Sequence, residues 1–282
     1  MASTEAALHR VETIASFDDA CVAMLDRLVV QSGWNQTADD WALFARLGSV
    51  HAVRDDSGRI VASGAVLPMD GGGAWISMIL VDPARRGGGL GRAVFEHCMR
   101  DARRAGRVAL LDATPDGERL YARYGFGTLW RSTRWRREAR PASAAPLRAD
   151  AAADLDALAA LDAEALGLAR APVLRQLAGR EGSCVVRHAQ GFAIVRAGRT
   201  AHQVGPLIAT DEAAAAALID DIARRIPGPV LVDVPDDRPL LRAQLASTGF
   251  GVQRGFARMA LGEPVPAGQT AFIHAIAGPE YG

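Results

Sequence analysis

The stretch Ile79–Val94 of this 282-residue chain reads ILVDPARRGGGLGRAV, and the interpretation of the fold starts there. Its apolar beginning predicts a buried strand that ends at Asp82, followed by a glycine-rich loop and the first turns of a helix. Glycines let a ligand approach backbone N–H groups closely, and a helix N-terminus adds unpaired donors and a partial positive charge. Three arginines in the stretch add formal charge: Arg85, Arg86 and Arg92. The stretch therefore predicts a phosphate or pyrophosphate site, with a merely tight turn as the alternative.

Three phosphate-binding motifs compete for this loop. A nucleotide P-loop needs a lysine, and the chain contains none, which also excludes a lysine nucleophile or a Schiff base. A dinucleotide-binding Gly-x-Gly-x-x-Gly fingerprint fails, because its last position falls on Arg92 or Val94. The third pattern, Arg/Gln-x-x-Gly-x-Gly/Ala, is met by Arg86, Gly89 and Gly91. It is the only one of the three that the residues satisfy.

Two further elements lie in the same order along the first half. The loop follows the strand end Val81-Asp82-Pro83, and about thirty residues later comes Leu120-Tyr121-x-x-x-Gly125-Phe126. With these elements the first half resembles the GNAT superfamily of acetyl-CoA-dependent N-acetyltransferases. The whole chain resembles a bacterial tandem-GNAT subfamily, in which the GWNQT segment at Gly33–Thr37 and a Gly-Pro…Asp-Val-Pro pattern in the second half also recur.

The resemblance implies where acetyl-CoA binds. The backbone N–H groups from about Gly87 to Ala93 would hold the pyrophosphate, and Leu80 and Val81 would pair with the pantetheine arm in a split between two strands. A backbone N–H near Leu80 would polarise the thioester carbonyl. In the family an Asn often contacts the arm, and Thr114 occupies that position in this chain. The implied cofactor-binding set is Leu80, Val81, Arg86, Gly87, Gly88, Gly89, Leu90, Gly91, Arg92, Ala93 and Thr114.

The resemblance also implies the chemistry, a direct attack of a neutral amine on the thioester in a ternary complex. Tyr121 matches the tyrosine that often protonates the departing thiolate, with a half-buried packing role as the alternative. Trp34, Asn35 and Gln36 lie where acceptors often bind, against an equal expectation of helix–loop packing. Cys98 falls on the apolar side of a predicted helix and is expected to be a buried thiol rather than a nucleophile.

No general base is identifiable from the residues. Several side chains qualify by type, although each is more readily a turn, cap or surface residue: Asp70, Asp82, Asp112, His51 and His97. A base that acts through water is equally compatible with the sequence. His202, His274 and Tyr281 of the second half are expected to be structural.

Composition narrows the function classes. The chain is 49% hydrophobic and carries 32 acidic and 32 basic residues, so a general affinity for nucleic acid is not expected. No apolar run reaches the length of a membrane span and the N-terminus is not a signal peptide, which predicts a cytoplasmic protein without a membrane partner. Three distant cysteines make neither a disulfide framework nor a zinc site, and no metal is expected. The chain is expected to be a monomer or homodimer.

The chain divides near a segment without apolar periodicity that carries two prolines, Arg137–Leu147. The expected domains are a catalytic domain at 1–137, a linker at 138–146 and a second domain at 147–282. The fold class is α+β, a three-layer α/β sandwich made of two tandem GNAT-like domains with mixed, mostly antiparallel sheets. YARYGFG at 121–127 and LASTGFG at 245–251 support the internal repeat, against coincidental helix-Gly-strand punctuation.

The second half lacks the phosphate loop. Ile208–Glu212 replaces it, and the two carboxylates there would repel a pyrophosphate, so this half is expected to be a degenerate domain. The expected function is acetyl transfer from acetyl-CoA to a primary amine of a small molecule. The alternatives are acetylation of a protein or peptide, and a non-catalytic module that binds or senses acyl-CoA.

Overall fold

The structure is a computed structural model that describes residues 9–148, 153–263 and 267–282. Within these ranges the first half contains five strands besides a short initial one. Its elements are β1 (Glu12–Thr13), α1 (Asp19–Gln31), α2 (Ala38–Leu47), β2 (Ser49–Arg54), β3 (Ile60–Met69), β4 (Gly73–Val81), α3 (Leu90–Arg104), β5 (Val108–Ala113), α4 (Pro115–Ala122) and β6 (Gly127–Arg137). A 3₁₀ turn, Pro83–Arg85, separates β4 from the loop that precedes α3.

The second half repeats this order from its two initial helices onward and adds a final strand. Its elements are α5 (Leu155–Leu166), α6 (Ala171–Ala178), β7 (Cys184–His188), β8 (Gly191–Arg196), β9 (His202–Ala209), α7 (Glu212–Arg225), β10 (Val230–Pro235), α8 (Pro239–Ser247), β11 (Gly251–Leu261) and β12 (Ile273–Ala275). A 3₁₀ turn, Thr270–Phe272, leads into β12. The sequence did not predict α6, because its eight residues are shorter than the window over which helical periodicity is recognisable.

The described strands form one mixed sheet with the order β1-β2-β3-β4-β5-β11-β6-β10-β9-β8-β7, and β12 pairs with β9. Only β4–β5 and β9–β10 are parallel pairs in this part of the chain, and the remaining pairs are antiparallel. The predicted fold class, two α+β units with mixed and mostly antiparallel sheets, is confirmed.

The two halves exchange their strands. β6 belongs to the first half but pairs with β10, while β11 of the second half lies between β5 and β6. Each half therefore completes the sheet of the other, and the sheet is continuous across the expected boundary between residues 137 and 147. Within the expected linker, the N–H groups of Arg140 and Ser143 donate to Pro227 and Arg224 of the second half, both at 2.9 Å.

Two buried ion pairs join the exchanged strands. Arg258 on β11 donates through Nε and Nη2 to the two carboxylate oxygens of Asp112 on β5, at 3.0 and 2.9 Å. Arg134 on β6 binds Asp233 on β10 through the same atoms, at 2.7 and 2.8 Å. The four side chains are at most 6% exposed. The two pairs occupy equivalent places in the repeat, and each joins residues of different halves.

Local signals in the sequence set the helices that flank the site. Helix α2 begins with a capping box, in which the Thr37 backbone N–H donates to Asp40 Oδ2 at 2.6 Å. Helix α3 packs its apolar face on β3 and β4 and buries Phe95 and Cys98 completely. Burial raises the pKa of the Cys98 thiol far above its usual range, as expected for a core residue rather than a nucleophile.

The segment after β12 crosses back onto the first half. The Trp75 indole N–H donates to the carbonyl oxygen of Pro279 at 2.9 Å. Tyr281 is fully buried, stacks on Phe44 with 5.5 Å between ring centroids, and donates its hydroxyl proton to Asp40. The structural role expected for Tyr281 follows from these contacts. They also bring Glu280 into the first half.

Breaking one of the reciprocal ion pairs should destabilise the whole sheet. We expect Arg258→Met to lower the free energy of unfolding by about 3–5 kcal/mol, because it leaves the Asp112 carboxylate buried without a partner. Asp112→Leu combined with Arg258→Met should recover most of this loss. Urea denaturation followed by tryptophan fluorescence measures both. Arg131→Met, which breaks only an exposed pair with Glu118, is the control and should leave the midpoint nearly unchanged. A single mutant as stable as the control would contradict the expectation.

Candidate active site

A split opens in the sheet between β4 and β5. The two strands pair only from Gly73 to Trp75 on β4, although both continue beyond that point. On the other edge of β4 the register with β3 shifts between Ser63 and Ala65, which marks a bulge. Met78 lies in this bulge with a φ of +55°, a conformation that a residue with a side chain rarely adopts. The bulge turns the end of β4 away from β5 and leaves its backbone edge free on that side.

The predicted phosphate loop lies at the end of β4. Gly87 and Gly89 both have a φ of +82°, and Gly89 is the N-cap of α3. A Cβ atom on Gly91 would lie 3.2 Å from Val81 Cγ2, so the helix start packs closely against the strand end. Within the described ranges, no backbone hydrogen bond uses the N–H groups of residues 87–92. The loop therefore presents a row of free donors at a helix N-terminus, the arrangement that binds anions.

The arginines of the loop differ in their surroundings. Arg92 pairs with Glu96 at 2.8 Å on the exposed side of α3, and Arg85 lies 3.7 Å from Asp55. Arg86 is exposed and makes no ion pair with any described residue, so its charge is available to an anion on the loop. The sequence did not predict His9, whose Nε2 contacts the Gly88 carbonyl oxygen at 2.6 Å.

A cavity of about 110 Å³ lies at the mouth of the split. Residues from both halves line the cavity. The exchanged strands β6 and β11 contribute to it, and so does the segment after β12. The lining residues are Trp34, Gln36, Ile76, Ser77, Met78, Ile79, Leu111, Asp112, Thr114, Tyr121, Arg134, Arg254, Phe256, Pro279 and Glu280. Of the predicted site residues, Trp34, Gln36, Thr114 and Tyr121 therefore meet here. Leu80, Val81 and the loop residues 86–93 lie outside the cavity.

Tyr121 reaches the cavity from α4. Its ring packs against Phe95 with 4.5 Å between centroids, and burial raises its pKa to about 12. The hydroxyl makes no hydrogen bond to the described residues. A phenol held in this way is protonated at neutral pH and has a proton free to donate. Thr114 lines the cavity and also caps α4, because its Oγ1 accepts from the Gly117 N–H at 3.3 Å.

The predicted acceptor residues separate in the structure. Asn35 does not line the cavity, and its side chain binds the turn between β8 and β9 by accepting from the Thr200 and Ala201 N–H groups at 2.9 and 3.0 Å. These contacts join the two halves and hold the Asn35 side chain outside the cavity that Trp34 and Gln36 line. Gln36 lines the cavity and donates from Nε2 to Glu280 at 2.9 Å, while its Oε1 is buried without a partner. Trp34 remains at the cavity wall.

Three charged cavity residues were not among those singled out from the sequence: Arg134, Arg254 and Glu280. Arg134 and Arg254 arrive on the exchanged strands, and no local pattern indicates that exchange. Glu280 is 6% exposed and is held by Gln36 and by Arg196 at 2.9 Å. Burial raises the pKa of its carboxyl group.

Three of the five side chains considered as bases from the sequence have other partners, and the remaining two, Asp70 and His97, do not line the cavity. Asp82 accepts from Arg27 at 2.7 Å and caps the 3₁₀ turn, and Arg27 holds its pKa below the usual range. His51 is buried, contacts Asp101 at 3.1 Å, and has its pKa lowered by burial. Asp112 reaches the cavity but is bound on both oxygens by Arg258. Among the cavity carboxylates, this leaves Glu280 as the base candidate.

The equivalent split in the second half is filled by the chain itself. β9 and β10 pair in parallel only from His202 to Val204 on β9, and β12 then pairs with Leu207 and Ile208 of β9. The helix start beyond it also differs. Asp211 caps α7 by accepting from the Ala214 N–H at 2.8 Å, and the next residue is another carboxylate. In the described part of the second half this split is therefore closed, and two carboxylates lie at the helix start.

Comparisons with known proteins agree with this arrangement. Two family models, each described as an acetyltransferase (GNAT) domain, match residues 47–128 and 158–273. YitH of Bacillus subtilis, described as an uncharacterized N-acetyltransferase, is 25% identical over 250 residues, which cover 85% of this chain and 88% of YitH. The two matched domains, together with the split in the sheet, the loop of free donors and the internal repeat, identify the protein as an acyltransferase. It belongs to the GNAT N-acetyltransferases with two domains in tandem.

Solved structures share the fold. A Pyrococcus horikoshii protein of inferred acetyltransferase activity superposes with a TM-score of 0.79 at 18% identity, covering 96% of both chains. A tandem GNAT protein from the clavulanic acid biosynthesis pathway superposes with a TM-score of 0.58 at 18% identity, covering 91% of this chain and 100% of the other. A GCN5-related N-acetyltransferase from Sphaerobacter thermophilus gives 0.60 at 15% identity, covering 89% and 95%. At these identities the likeness concerns the fold alone.

Two kinds of feature are absent from the described residues. None of the helices in that part of the chain is long and apolar enough to cross a membrane. No group of three or more His, Cys, Asp or Glu side chains there is arranged to hold a metal ion.

Proposed function

We propose that the protein transfers an acetyl group from acetyl-CoA to a primary amine of a small molecule, at the site in the first half. One observation carries the proposal: the free N–H row at Gly87–Arg92, the open edge of β4 and the Tyr121 hydroxyl follow one another along the same split. Acetyl-CoA, an anionic pyrophosphate with a long amide-containing arm and a thioester, matches these features in order. The small cavity favours a small acceptor over a protein chain.

In this proposal the first half, residues 1–137, holds acetyl-CoA. The N–H groups from Gly87 to Arg92 and the Arg86 guanidinium bind its pyrophosphate, and the backbone of Leu80 and Val81 pairs with the pantetheine arm. The Ala93 N–H, expected in this row from the sequence, instead donates to the Gly89 carbonyl oxygen at 3.0 Å. Residues 147–282 form a degenerate domain beyond the linker at 138–146. Its own slot is occupied by β12, so its contribution is to wall the cavity.

The chain provides an acid and a base for direct transfer. Acetyl-CoA supplies the acetyl group as an activated thioester. Tyr121, with its raised pKa, donates a proton to the leaving sulfur, and Glu280, whose pKa burial also raises, accepts the proton that the amine loses. A covalent enzyme intermediate is not part of the proposal, because Cys98 is fully buried and outside the cavity.

Acetyl-CoA binding tests the proposal first. We expect calorimetry to show micromolar binding by the wild type and its loss in Gly89→Glu, which places a carboxylate at the start of α3. Gly106→Glu is the matched control. Gly106 also has a positive φ, +66°, and open space around it, but it follows the other end of α3, about 22 Å away at 1.5 Å per residue. No binding by the wild type would contradict the proposal, as would equal losses in both variants.

The acid role of Tyr121 is tested by Tyr121→Phe. We expect kcat to fall by about 100-fold or more, with little change in acetyl-CoA affinity, because the proton donor is lost while the ring still packs on Phe95. Tyr124→Phe is the control, since the Tyr124 hydroxyl bonds Glu96 at 2.8 Å away from the cavity.

The same role sets a pH dependence. The Tyr121 pKa of about 12 keeps the phenol protonated at high pH, so kcat of the wild type should not fall between about pH 8 and 10. A decline with an apparent pKa near 10 that Tyr121→Phe abolishes would show a phenol titrating in its ordinary range and would contradict the assignment.

The base role of Glu280 is tested by Glu280→Gln. A base must be ionised, so activity that depends on Glu280 is lost as the pH falls through its raised pKa. We expect the variant to lose about 100-fold or more in kcat/KM at neutral pH. The deficit should narrow at higher pH, because more of the acceptor arrives already neutral. Glu138→Gln, at an exposed position, is the control. A deficit that is constant with pH and accompanied by a lower urea midpoint would show that Glu280 only holds Arg196.

A further inference from the structure

Two arginines face each other across the exchanged strands. In the β6–β11 pair Arg254 is the direct partner of Arg134, and the register shift between Val252 and Arg254 marks a bulge at Gln253. Both arginines line the cavity. Like charges directly opposite each other on antiparallel strands are destabilising. The bulge therefore places a second cation where a neutral side chain would be easier to accommodate.

The charges around the cavity balance at every position except one. Three of the four charged lining residues have partners: Arg134 is bound by Asp233, Asp112 by Arg258, and Glu280 by Arg196. Arg254 makes no ion pair and no hydrogen bond with the residues that the structure describes. The cavity thus retains one uncompensated positive charge.

The surroundings of Arg254 make this charge costly without a ligand. The side chain is half-buried, its guanidinium carbon lies 5.9 Å from the centre of the Phe256 ring, and its Nε is buried without a partner. Burial and the positive charge of Arg134 lower its pKa. An anion in the cavity would satisfy Nε and offset the repulsion between the two guanidinium groups.

We propose that the acceptor is an amine that also carries a carboxylate, and that Arg254 binds this carboxylate. The proposal rests on the proposed acetyl transfer and specifies its acceptor. The planar guanidinium presents parallel N–H donors that match the two oxygens of a carboxylate. Glu280 also lines this cavity, and its negative charge faces the positively charged amino group of the acceptor. The cavity is therefore complementary to a small zwitterion, the two ends of which bind Arg254 and Glu280.

The phosphates of acetyl-CoA do not account for Arg254. The free donors that suit a pyrophosphate belong to residues 87–92, and none of residues 86–93 lines the cavity. Arg254 instead shares the cavity with Tyr121 and the bulged end of β4, where the thioester and the acceptor would meet. The anion that it binds is then part of the acceptor.

The test compares amino acids with their primary amides. Each pair, such as glycine and glycinamide or β-alanine and β-alaninamide, differs in the negative charge and little in size. With acetyl-CoA as donor and release of free CoA as the readout, we expect the wild type to prefer at least one amino acid over its amide by about 10- to 100-fold in kcat/KM. Arg254→Gln should abolish the preference by raising KM for the amino acid, and Arg254→Lys should retain part of it.

The control is Arg136→Gln, because Arg136 lies on β6 outside the cavity and pairs with the exposed Glu138. It should leave the preference unchanged. Equal transfer to acids and amides by the wild type would overturn the inference, as would an equal loss for both in Arg254→Gln. Calorimetry with acetyl-CoA on each variant distinguishes a failure of the proposed function from a failure of the acceptor assignment. A wild type that does not bind acetyl-CoA refutes the proposed function, whereas binding without transfer to any carboxylate-bearing amine of the panel refutes only the acceptor assignment.

Discussion

The reciprocal ion pairs between the exchanged strands are the constraint on which the rest of this structure depends. Asp112 and Asp233 lie in the middle of one sheet, at most 6% of each ion-paired side chain is exposed, and each carboxylate is neutralised by an arginine from the other half. A buried carboxylate without its partner is strongly destabilising, so neither half can complete its sheet alone. The exchange of β6 and β11 supplies these partners, and it makes both halves contribute to the wall of one cavity.

The two halves use the same split in opposite ways. In the first half the split between β4 and β5 is open, and the loop before α3 has free donors. In the second half β12 occupies the split, and the Ile276 N–H donates to the Asp233 carbonyl oxygen on β10 at 3.0 Å. The chain then continues to Pro279 and Glu280 on the first half. The segment that closes one slot is therefore the segment that delivers a carboxylate to the other.

The structural features that could be predicted from the sequence are those that residues close together in the chain determine. The αL conformation of Gly89, the contact between Thr37 and Asp40, and the burial of Cys98 depend on spacing within a few residues, and each was predictable. The exchange was not, because a strand at Gly127–Arg137 has the same pattern whichever partner it pairs with. Arg254 reaches the cavity only through a bulge at Gln253, and Glu280 lies in a Gly-Pro-Glu-Tyr-Gly stretch that resembles an ordinary turn. Asn35 shows the converse, since its neighbours suggested a site and its contacts are structural.

Desolvation in the cavity shifts the pKa values of the proposed acid and the proposed base in the same direction, with different consequences for their roles. Burial raises the pKa of Tyr121 and also that of Glu280, because in both cases it disfavours the negatively charged form. For the phenol this preserves the proton over the pH range in which an amine becomes neutral. For the carboxylate it increases the affinity for a proton, while Arg196 and Gln36 favour the ionised form that can accept one. In the proposed reaction a single property, low hydration at the end of the split, thus suits one residue to donate a proton to sulfur and the other to remove a proton from nitrogen.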